Sequence, residues 1–317
     1  MYHYVRDPER TRFPRINARR IGEFEGQLDY LERHHRLVSL GDVCRAATNG
    51  ASLPERACLL TFDDGLVDHV ETVAGILRRR GLPACFCPPA GPVLERGLLD
   101  VQKSQFVLAA SNDHSDLCSR ILDLVRVERD EHDAPTEEDL RSRFAVAGRY
   151  DGAETILAKR LLQDALPESL CRPVLDQLFA ELVSADEAAF ADELYASREQ
   201  LERLLDDGFE LAGHGYHHRR LSLLDDTGLR TELDGSRRLL GELGAPLEGW
   251  AMCFAYGDRD GRALRVLREL GCSVGLTTDV GLAGPGTDPL QLPRLDTNDV
   301  PTDRDDAPST WTREADG

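Results

Sequence analysis

The sequence predicts an α/β fold built on a parallel sheet or barrel and interrupted by a helical insertion. Strand-like and helix-like segments alternate along residues 1–90 and again along residues 197–299, as in folds whose parallel strands are joined by helices. Between these stretches, residues 91–196 show apolar residues at helical spacing and no strand-like run. With 317 residues, of which 41% are hydrophobic, the chain is long enough to bury a substantial core.

The first part of the α/β domain, residues 1–90, contains short apolar runs typical of strands. We expect strands at residues 2–5, 37–40, 58–62 and 84–87. Helices are expected at residues 21–31, after Gly41 and at residues 67–80, where apolar positions recur at helical spacing. The last of these should end at Gly81, because glycine readily adopts the left-handed conformation that closes helices.

The second part of the α/β domain, residues 197–299, resumes the alternation. Helices are expected at residues 197–207, 227–243 and 262–270, and strands at residues 209–212, 250–254, 273–277 and 290–295. Within the insertion, the charged residues 128–139 predict a solvated loop. Residues 300–317 are rich in Asp, Thr and Pro, and predict a flexible tail.

Composition limits the partners of this chain. The formal net charge is −19, from 57 Asp and Glu against 38 Lys and Arg, which argues against nucleic acid and anionic membrane surfaces as partners. No apolar window approaches the length of a membrane span, and the N-terminus lacks an apolar signal core, so we expect a cytoplasmic protein. The eight cysteines include no Cys-x-x-Cys pair and are expected to be buried free thiols. A homo-oligomer is compatible with all of this.

Two adjacent carboxylates, Asp63 and Asp64, follow the strand at residues 58–62. Burying an ionised carboxylate without a partner is costly, and two neighbouring carboxylates also repel each other. A cation or a shared proton usually compensates such a pair. The simplest interpretation is a metal site in which one aspartate binds the ion and the other handles a proton.

Two histidines four positions apart, His214 and His218, follow the strand at residues 209–212. On one turn of helix, positions i and i+4 present their side chains on the same face. Two imidazoles and a carboxylate are a ligand set that zinc favours, and they leave positions open for water and substrate. Both motifs lie at carboxyl ends of strands, where sites assemble in α/β folds. His217, on the same turn, is expected to point elsewhere.

The segment Thr61-Phe62-Asp63-Asp64-Gly65, together with the downstream His214-x-x-x-His218, resembles the polysaccharide deacetylase (NodB-homology) family, carbohydrate esterase family 4. The resemblance covers about residues 1–90 and 197–296, and it leaves the insertion outside. It implies an irregular (β/α) barrel of about seven strands and a metal-dependent enzyme that removes an acyl group, usually acetyl, from an amino sugar.

The resemblance also assigns roles to residues. It implies that Asp64, His214 and His218 bind a divalent metal, most often Zn²⁺, with Co²⁺, Ni²⁺ or Mn²⁺ as alternatives. It implies that Asp63 is the general base that activates water on the metal. Tyr256, in Phe254-Ala255-Tyr256-Gly257, matches the family's third motif, in which a tyrosine backbone group contacts the oxyanion.

The third motif departs from the family pattern, because Cys253 stands where the family has an arginine and Ala255 where it has a proline. Another guanidinium could hold the base carboxylate. Arg294, at the end of the last expected strand, is one choice; alternatively, it is a surface residue that pairs with Asp296.

The family's late His-Asp motif, which supplies a general acid, is also absent, since no histidine follows His218. His3, on the first strand, is the best replacement, because the first and last strands of a closed barrel are neighbours. Alternatively, His3 is a buried strand residue bonded to a carbonyl. His69, at a helix start near the aspartate pair, is a third choice, although a surface position is favoured for it.

The function expected from these features is metal-dependent N-deacetylation of a small-molecule or carrier-linked amino sugar. The insertion could form a lid that limits the site to small substrates. A second hypothesis is deformylation or hydrolysis of another non-peptide amide. A third is a binding or scaffolding protein without turnover, which the retained ligands and base disfavour.

Overall fold

The computed structural model describes residues 1–128, 134–149 and 151–315. The chain divides into two compact units. The α/β unit comprises Met1–Asp7, Ala18–Arg96 and Asp192–Gly317, and the helical unit comprises Pro8–Asn17 and Gly97–Ala191. Residues 8–17, which the sequence assigns to the first part of the α/β domain, group with the helical unit.

Seven strands are present in the described residues, all of them in the α/β unit. They are β1 (Arg36–Leu37), β2 (Ala57–Cys58), β3 (Thr61–Asp63), β4 (Cys85–Cys87), β5 (Glu210–Leu211), β6 (Ala251–Cys253) and β7 (Val274–Leu276). They form three parallel sheets, β1-β2, β3-β4-β5 and β6-β7. The α/β class and the parallel pairing are as predicted.

The predicted closed barrel is not observed, because the sheets are fragmentary. Single bridges extend them at Gly213↔Met252, Tyr2↔Phe62 and Leu276↔Leu292. The strands stop early for local reasons. Ser39 caps the next helix, Asp64 and Gly65 turn with positive φ after β3, and Pro89 precedes a helix after β4. The strand predicted at residues 290–295 is reduced to a single bridge at Leu292, because Pro289–Gln291 form a 3₁₀ turn whose first residue lacks a backbone N–H.

The helices follow the predicted order. They are α1 (Ile21–His34), α2 (Leu40–Asn49), α3 (Ala74–Arg80), α4 (Ala90–Glu95), α5 (Asp100–Ala110), α6 (His114–Glu128), α7 (Glu137–Phe144), α8 (Ala153–Gln163), α9 (Glu168–Leu182), α10 (Glu187–Leu194), α11 (Arg198–Asp206), α12 (Asp226–Glu242), α13 (Gly261–Glu269) and α14 (Thr310–Glu314). A π-helical turn, His69–Val73, precedes α3. Gly81 closes α3 with φ 67°, as predicted.

Alternate side chains along the strands belong to two different layers of the core. Small side chains, among them Cys85, Cys87, Ala251, Cys253 and Val274, form one buried cluster. The residues between them in sequence, such as Phe86 and Met252, belong to the larger cluster that packs against the helices. This is the two-residue period of strands, and it places Cys253 on the same inner side as Cys87.

The helical unit is held by its own aromatic core. Phe106 and Phe190 pack edge to face with ring centroids 4.8 Å apart; Phe13 contacts both rings, and Phe179 contacts Phe190. Lys103 is buried and pairs with Asp176 at 2.6 Å and Glu187 at 2.8 Å. The described residues of this unit contain no strand, as the sequence predicted.

Two expectations about loops need correction. Of the loop predicted at residues 128–139, residues 129–133 lie outside the described residues, and α7 already begins at Glu137, capped by Thr136. The predicted flexible tail packs on α1, since the hydroxyl of Tyr30 accepts from Ser309 N–H and bonds the hydroxyl of buried Thr312, both at 2.8 Å.

Within the described residues, no helix is long and apolar enough to cross a membrane.

Candidate active site

The aspartate pair is separated by a sharp turn. Asp63 is the last residue of β3, whereas Asp64 and Gly65 adopt left-handed backbone, with φ 78° and 62°. Aspartate tolerates this conformation better than most residues, and glycine adopts it without strain. The turn sends the two carboxylates toward different partners, although both side chains are at least 98% buried.

The histidine pair lies on a loop, not on the helical turn that the sequence suggested. Residues 214–218 contain no helix, and the loop turns through left-handed backbone at Gly215 (φ 78°) and His218 (φ 56°). The two rings nevertheless converge, with centroids 4.8 Å apart. The loop therefore achieves by two left-handed turns what a helix would achieve by periodicity.

Asp64, His214 and His218 bring their ligand atoms together. Oδ1 of Asp64 lies 3.3 Å from Nε2 of His214 and 3.6 Å from Nε2 of His218. One ligand atom from each residue lies within 4.8 Å of the others, and all three side chains are buried. One carboxylate and two imidazoles are a ligand set that fits a divalent metal ion.

Hydrogen bonding and charge prepare the two imidazoles differently. Nδ1 of His214 donates to the carbonyl of Cys253 at 2.9 Å, so Nε2 is the nitrogen that faces Asp64. Burial opposes a charge on His214, but the Cys253 thiolate and Asp64 outweigh it and hold its pKa well above the ordinary value. A site that attracts a proton this strongly also attracts a metal cation in its place. Burial, followed by the charge of His214, lowers the pKa of His218 to about 4, so His218 is neutral.

Arg294 is buried against Asp63. Its Nη1 and Nη2 donate to Oδ1 and Oδ2 of Asp63 at 2.9 and 2.8 Å. Nε donates to the carbonyl of Thr277 at 2.7 Å, and Nη1 also reaches the hydroxyl of Thr61. Burial alone would raise the pKa of Asp63, but the charge of Arg294 holds it well below the usual value. The alternative in which Arg294 pairs with Asp296 at the surface is wrong.

Cys253 occupies the inner side of β6 beside this pair. Burial alone would raise the pKa of its thiol, but a hydrogen bond from Cys87, with Arg294 nearby, lowers it to about 6. Asp63, His214 and Cys253 also bring ligand atoms within 4.8 Å of one another. This second set fits a metal less well, since Arg294 already binds both oxygens of Asp63 and Nδ1 of His214 is bonded to a carbonyl.

The two remaining candidate residues, His3 and His69, are joined by a hydrogen bond. His3 is half-buried, and Nε2 of His69 donates to its backbone carbonyl at 3.0 Å. Burial alone would raise the pKa of Asp64, but a hydrogen bond from His214 and the charge of His3 outweigh burial and lower that pKa. His3 therefore lies near the ligand set. His69 is only 1% exposed, so the favoured surface position for it is wrong; its ring packs on Phe62 and Phe86.

Tyr256 contacts the histidine loop at His218. Its ring meets that of His218 edge to face at 4.6 Å, and the guanidinium of Arg220 lies 4.3 Å from its ring centre. Tyr256 has φ 57°. Of the five non-glycine residues with positive φ in the described chain, three (Asp64, His218 and Tyr256) belong to this site, and such strain concentrates where function maintains it.

Two supporting residues were not anticipated from the sequence. Asp68 accepts from Val5 N–H at 3.1 Å and from Arg6 Nε at 2.7 Å, and so fixes the segment that carries His3. Glu232, on α12, accepts from the histidine loop. The position of Asp68, four residues after Asp64, was a usable signal; an isolated glutamate on a helix such as Glu232 gives none.

Comparisons with known proteins point to a single family. The polysaccharide deacetylase family model matches residues 160–275, which include His214, His218 and Tyr256. No curated protein matches the chain. Among solved structures, the chain is similar to the Streptococcus pyogenes deacetylase PplD in complex with acetate, at 15% identity and TM-score 0.56, covering 93% of this chain and 89% of that chain.

Two further structures show the same likeness. IcaB from Ammonifex degensii is 16% identical with a TM-score of 0.53, covering 99% of this chain and 94% of that chain. The BpsB deacetylase domain from Bordetella bronchiseptica is 15% identical with a TM-score of 0.51, covering 92% of this chain and 93% of that chain. At such low identities the likeness establishes the fold.

Proposed function

Because this chain is a relative of the polysaccharide deacetylases, which hydrolyse carbon–nitrogen amide bonds, we propose that it removes the acetyl group from the acetamide of an amino sugar. The observation that carries the proposal is the buried set of Asp64, His214 and His218 beside a second carboxylate, Asp63, that Arg294 keeps ionised. This arrangement separates a metal-binding role from a proton-transfer role within one aspartate pair.

In this proposal, Oδ1 of Asp64 and the Nε2 atoms of His214 and His218 hold a divalent metal, with zinc as the first choice. When bound, such an ion polarises the amide carbonyl and makes water more acidic. His214 keeps its Nε2 available because its Nδ1–H is committed to the carbonyl of Cys253. His218 is neutral at pH 7 for the reason given above, and so offers a lone pair.

Asp63 takes the proton from the attacking water. A carboxylate has about four lone-pair positions, so each oxygen can accept from Arg294 and still receive a proton. The guanidinium fixes the plane of the carboxylate and holds Asp63 ionised. Arg294 thus replaces, from a distant part of the chain, the arginine that the family places where Cys253 stands here.

We assign the second proton transfer to His3 and the oxyanion contact to Tyr256. His3 protonates the leaving amine, because it is half-buried and near Asp64, and its segment is held by Asp68 and His69. The backbone N–H of Tyr256 stabilises the developing oxyanion. The products are the free amine and acetate.

The substrate class is a small-molecule or carrier-linked amino sugar. The product of the reaction carries a new cationic amine. The net charge of −19 favours the binding of cations to this chain and does not favour their release. We therefore expect stronger binding of substrates that already carry an amine than of matched anionic ones. Equal KM values for cationic and anionic substrates of the same sugar would contradict this part of the proposal.

The decisive experiment is release of acetate or formate from a panel of N-acylated amino sugars, with metal-free and zinc-loaded protein. Acetate release that requires zinc supports the proposal, and preferential formate release supports the alternative deformylase. Asp63→Asn should abolish turnover without loss of zinc, whereas Asp305→Asn, at a side chain 85% exposed, should leave it unchanged. Turnover by Asp63→Asn would refute the base assignment, and a protein that binds no zinc would favour a scaffolding role.

A further inference from the structure

One buried carboxylate on α12 binds the loop between the two histidines. Glu232, in the middle of α12, is 2% exposed. Its carboxylate accepts the backbone N–H of Tyr216 at 2.8 Å and that of His217 at 3.0 Å. The ring Nδ1 of His217 lies 3.4 Å from the same carboxylate.

The carbonyls of the loop are bound from a second helix. The N–H groups of Ala90 and Gly91, the first two residues of α4, donate to the carbonyls of Gly215 at 2.9 Å and Tyr216 at 2.7 Å. Because the first N–H groups of a helix have no partner within it, they are available for this role. The loop is therefore held between α4 on its carbonyl side and α12 on its amide side.

Three glycines allow the loop to lie this close to α4 and α12. A Cβ at Gly215 would lie 2.9 Å from Glu232 Oε2, and a Cβ at Gly91 would lie 2.8 Å from the Tyr216 carbonyl. A Cβ at Gly235, one turn along α12 from Glu232, would overlap the Tyr216 ring. The loop, α4 and α12 are thus in close contact at each point where Glu232 or α4 bonds the loop.

The contacts of Glu232 determine the geometry of the ligand set. The loop is not helical, and it passes through left-handed backbone at Gly215 and His218. The separation of the two ligand rings therefore depends on the bonds that α4 and Glu232 make to the residues between them. A buried carboxylate needs such donors in any fold, but here every donor belongs to the segment that joins the two ligands.

We propose that Glu232 is a positioning residue that sets the metal affinity of this protein by fixing the loop between His214 and His218. The proposal rests on the proposed function, because it assumes that the two histidines bind metal. Glu232 is not one of the three candidate ligands and acts through the backbone of Tyr216 and His217. Outer partners that orient metal ligands typically change metal affinity 10- to 100-fold when removed.

The test compares zinc affinity, measured by competition with a chelating dye, for wild type, Glu232→Ala, Glu232→Gln and Glu242→Gln. Glu242, at the end of the same helix, is a matched control that pairs with Arg238 and Arg198 at the surface. We expect zinc binding to weaken about 100-fold in Glu232→Ala and about 10-fold in Glu232→Gln, whose amide retains one acceptor oxygen. The control should stay within about twofold of wild type.

The unfolding temperature of each metal-free variant separates positioning from a purely structural role. A structural role would lower that temperature and leave the zinc affinity of the folded protein unchanged, and that result would overturn the proposal. If Glu232→Ala does not fold, the nearly isosteric Glu232→Gln decides, and unchanged zinc affinity in it also overturns the proposal. A wild-type protein that binds no zinc would refute the proposed function itself, which is a different outcome.

Discussion

Arg294 binds both carboxylate oxygens of Asp63, at 2.9 and 2.8 Å, although the two residues are 231 positions apart in the chain. Both side chains are buried, and the guanidinium is further fixed by the carbonyl of Thr277. A planar guanidinium matches the two oxygens of a carboxylate in a way that an ammonium group cannot. The pair therefore fixes both the charge and the orientation of the proposed base.

Arg294→Lys should move the acid limb of the pH–rate profile to higher pH. Burial raises the pKa of Asp63 and the guanidinium outweighs it, so weakening that contact lets the pKa rise. The base acts only when ionised, and activity at low pH is therefore lost first. The measurement is kcat/KM against pH, with Arg259→Lys, whose partner Asp279 is 61% exposed, as the control. An unchanged acid limb in Arg294→Lys would show that Arg294 does not tune the base.

Arg294→Met should destabilise the protein by about 3–5 kcal/mol near pH 7, because it leaves a buried carboxylate without its partner. The folded-state pKa of Asp63 is depressed, so its contribution to stability is present above the unfolded pKa of about 3.9 and is lost as the pH falls through the lower folded value. The destabilisation should therefore shrink only as the pH is lowered below about 4. Urea unfolding at several pH values measures this, and a pH-independent difference would contradict it.

His218→Gln should abolish zinc binding, whereas His217→Gln should preserve a stoichiometry of one. The ring of His218 faces Asp64, while that of His217 is turned toward Glu95 and Glu232. A ligand present at 100 times its Kd stabilises the folded protein by about 2.7 kcal/mol. That zinc-dependent rise in unfolding free energy should occur in wild type and disappear in His218→Gln. Loss of zinc from His217→Gln alone would mean that the ligand assignment is wrong.

How well the sequence predicts this site depends on how far apart along the chain the contacting residues lie. Asp63 and Asp64, and likewise His214 and His218, are close in sequence and follow apolar runs, so strand-end reasoning and the motif both reveal them. The Asp63–Arg294 pair depends on which distant segments meet, and the sequence left Arg294 undecided. The prediction of a closed barrel was wrong for a related reason. Turns at Asp64 and Ser39 shorten the strands, and each turn depends on the backbone conformation of individual residues.

Gly235→Ala should weaken both stability and zinc binding, because a methyl group on α12 would overlap the Tyr216 ring and displace the histidine loop. Overpacking of this kind typically costs about 1–3 kcal/mol. Gly22→Ala is the matched control, since a Cβ there meets nothing within 4 Å and alanine favours helices by up to about 1 kcal/mol. Thermal unfolding and zinc titration of the two variants check this. Equal stability of both would contradict the close packing of Tyr216 on α12.

His3→Gln should lower kcat by about 10²–10⁴-fold, the usual contribution of a general acid. His69→Gln should have a smaller effect on kcat, because the His69 ring is buried and its Nε2 donates to the carbonyl of His3, which a glutamine amide can also do.

Leaving-group dependence distinguishes proton donation by His3 from a positioning effect. An aryl amide releases a weakly basic amine that needs little protonation, so a missing acid matters less for it than for an N-acetyl amino sugar. The kcat loss in His3→Gln should therefore shrink with the aryl amide, whereas a displaced ligand set would slow both substrates equally. Equal losses on the two substrates in His3→Gln, or a leaving-group dependence confined to His69→Gln, would transfer the acid role away from His3.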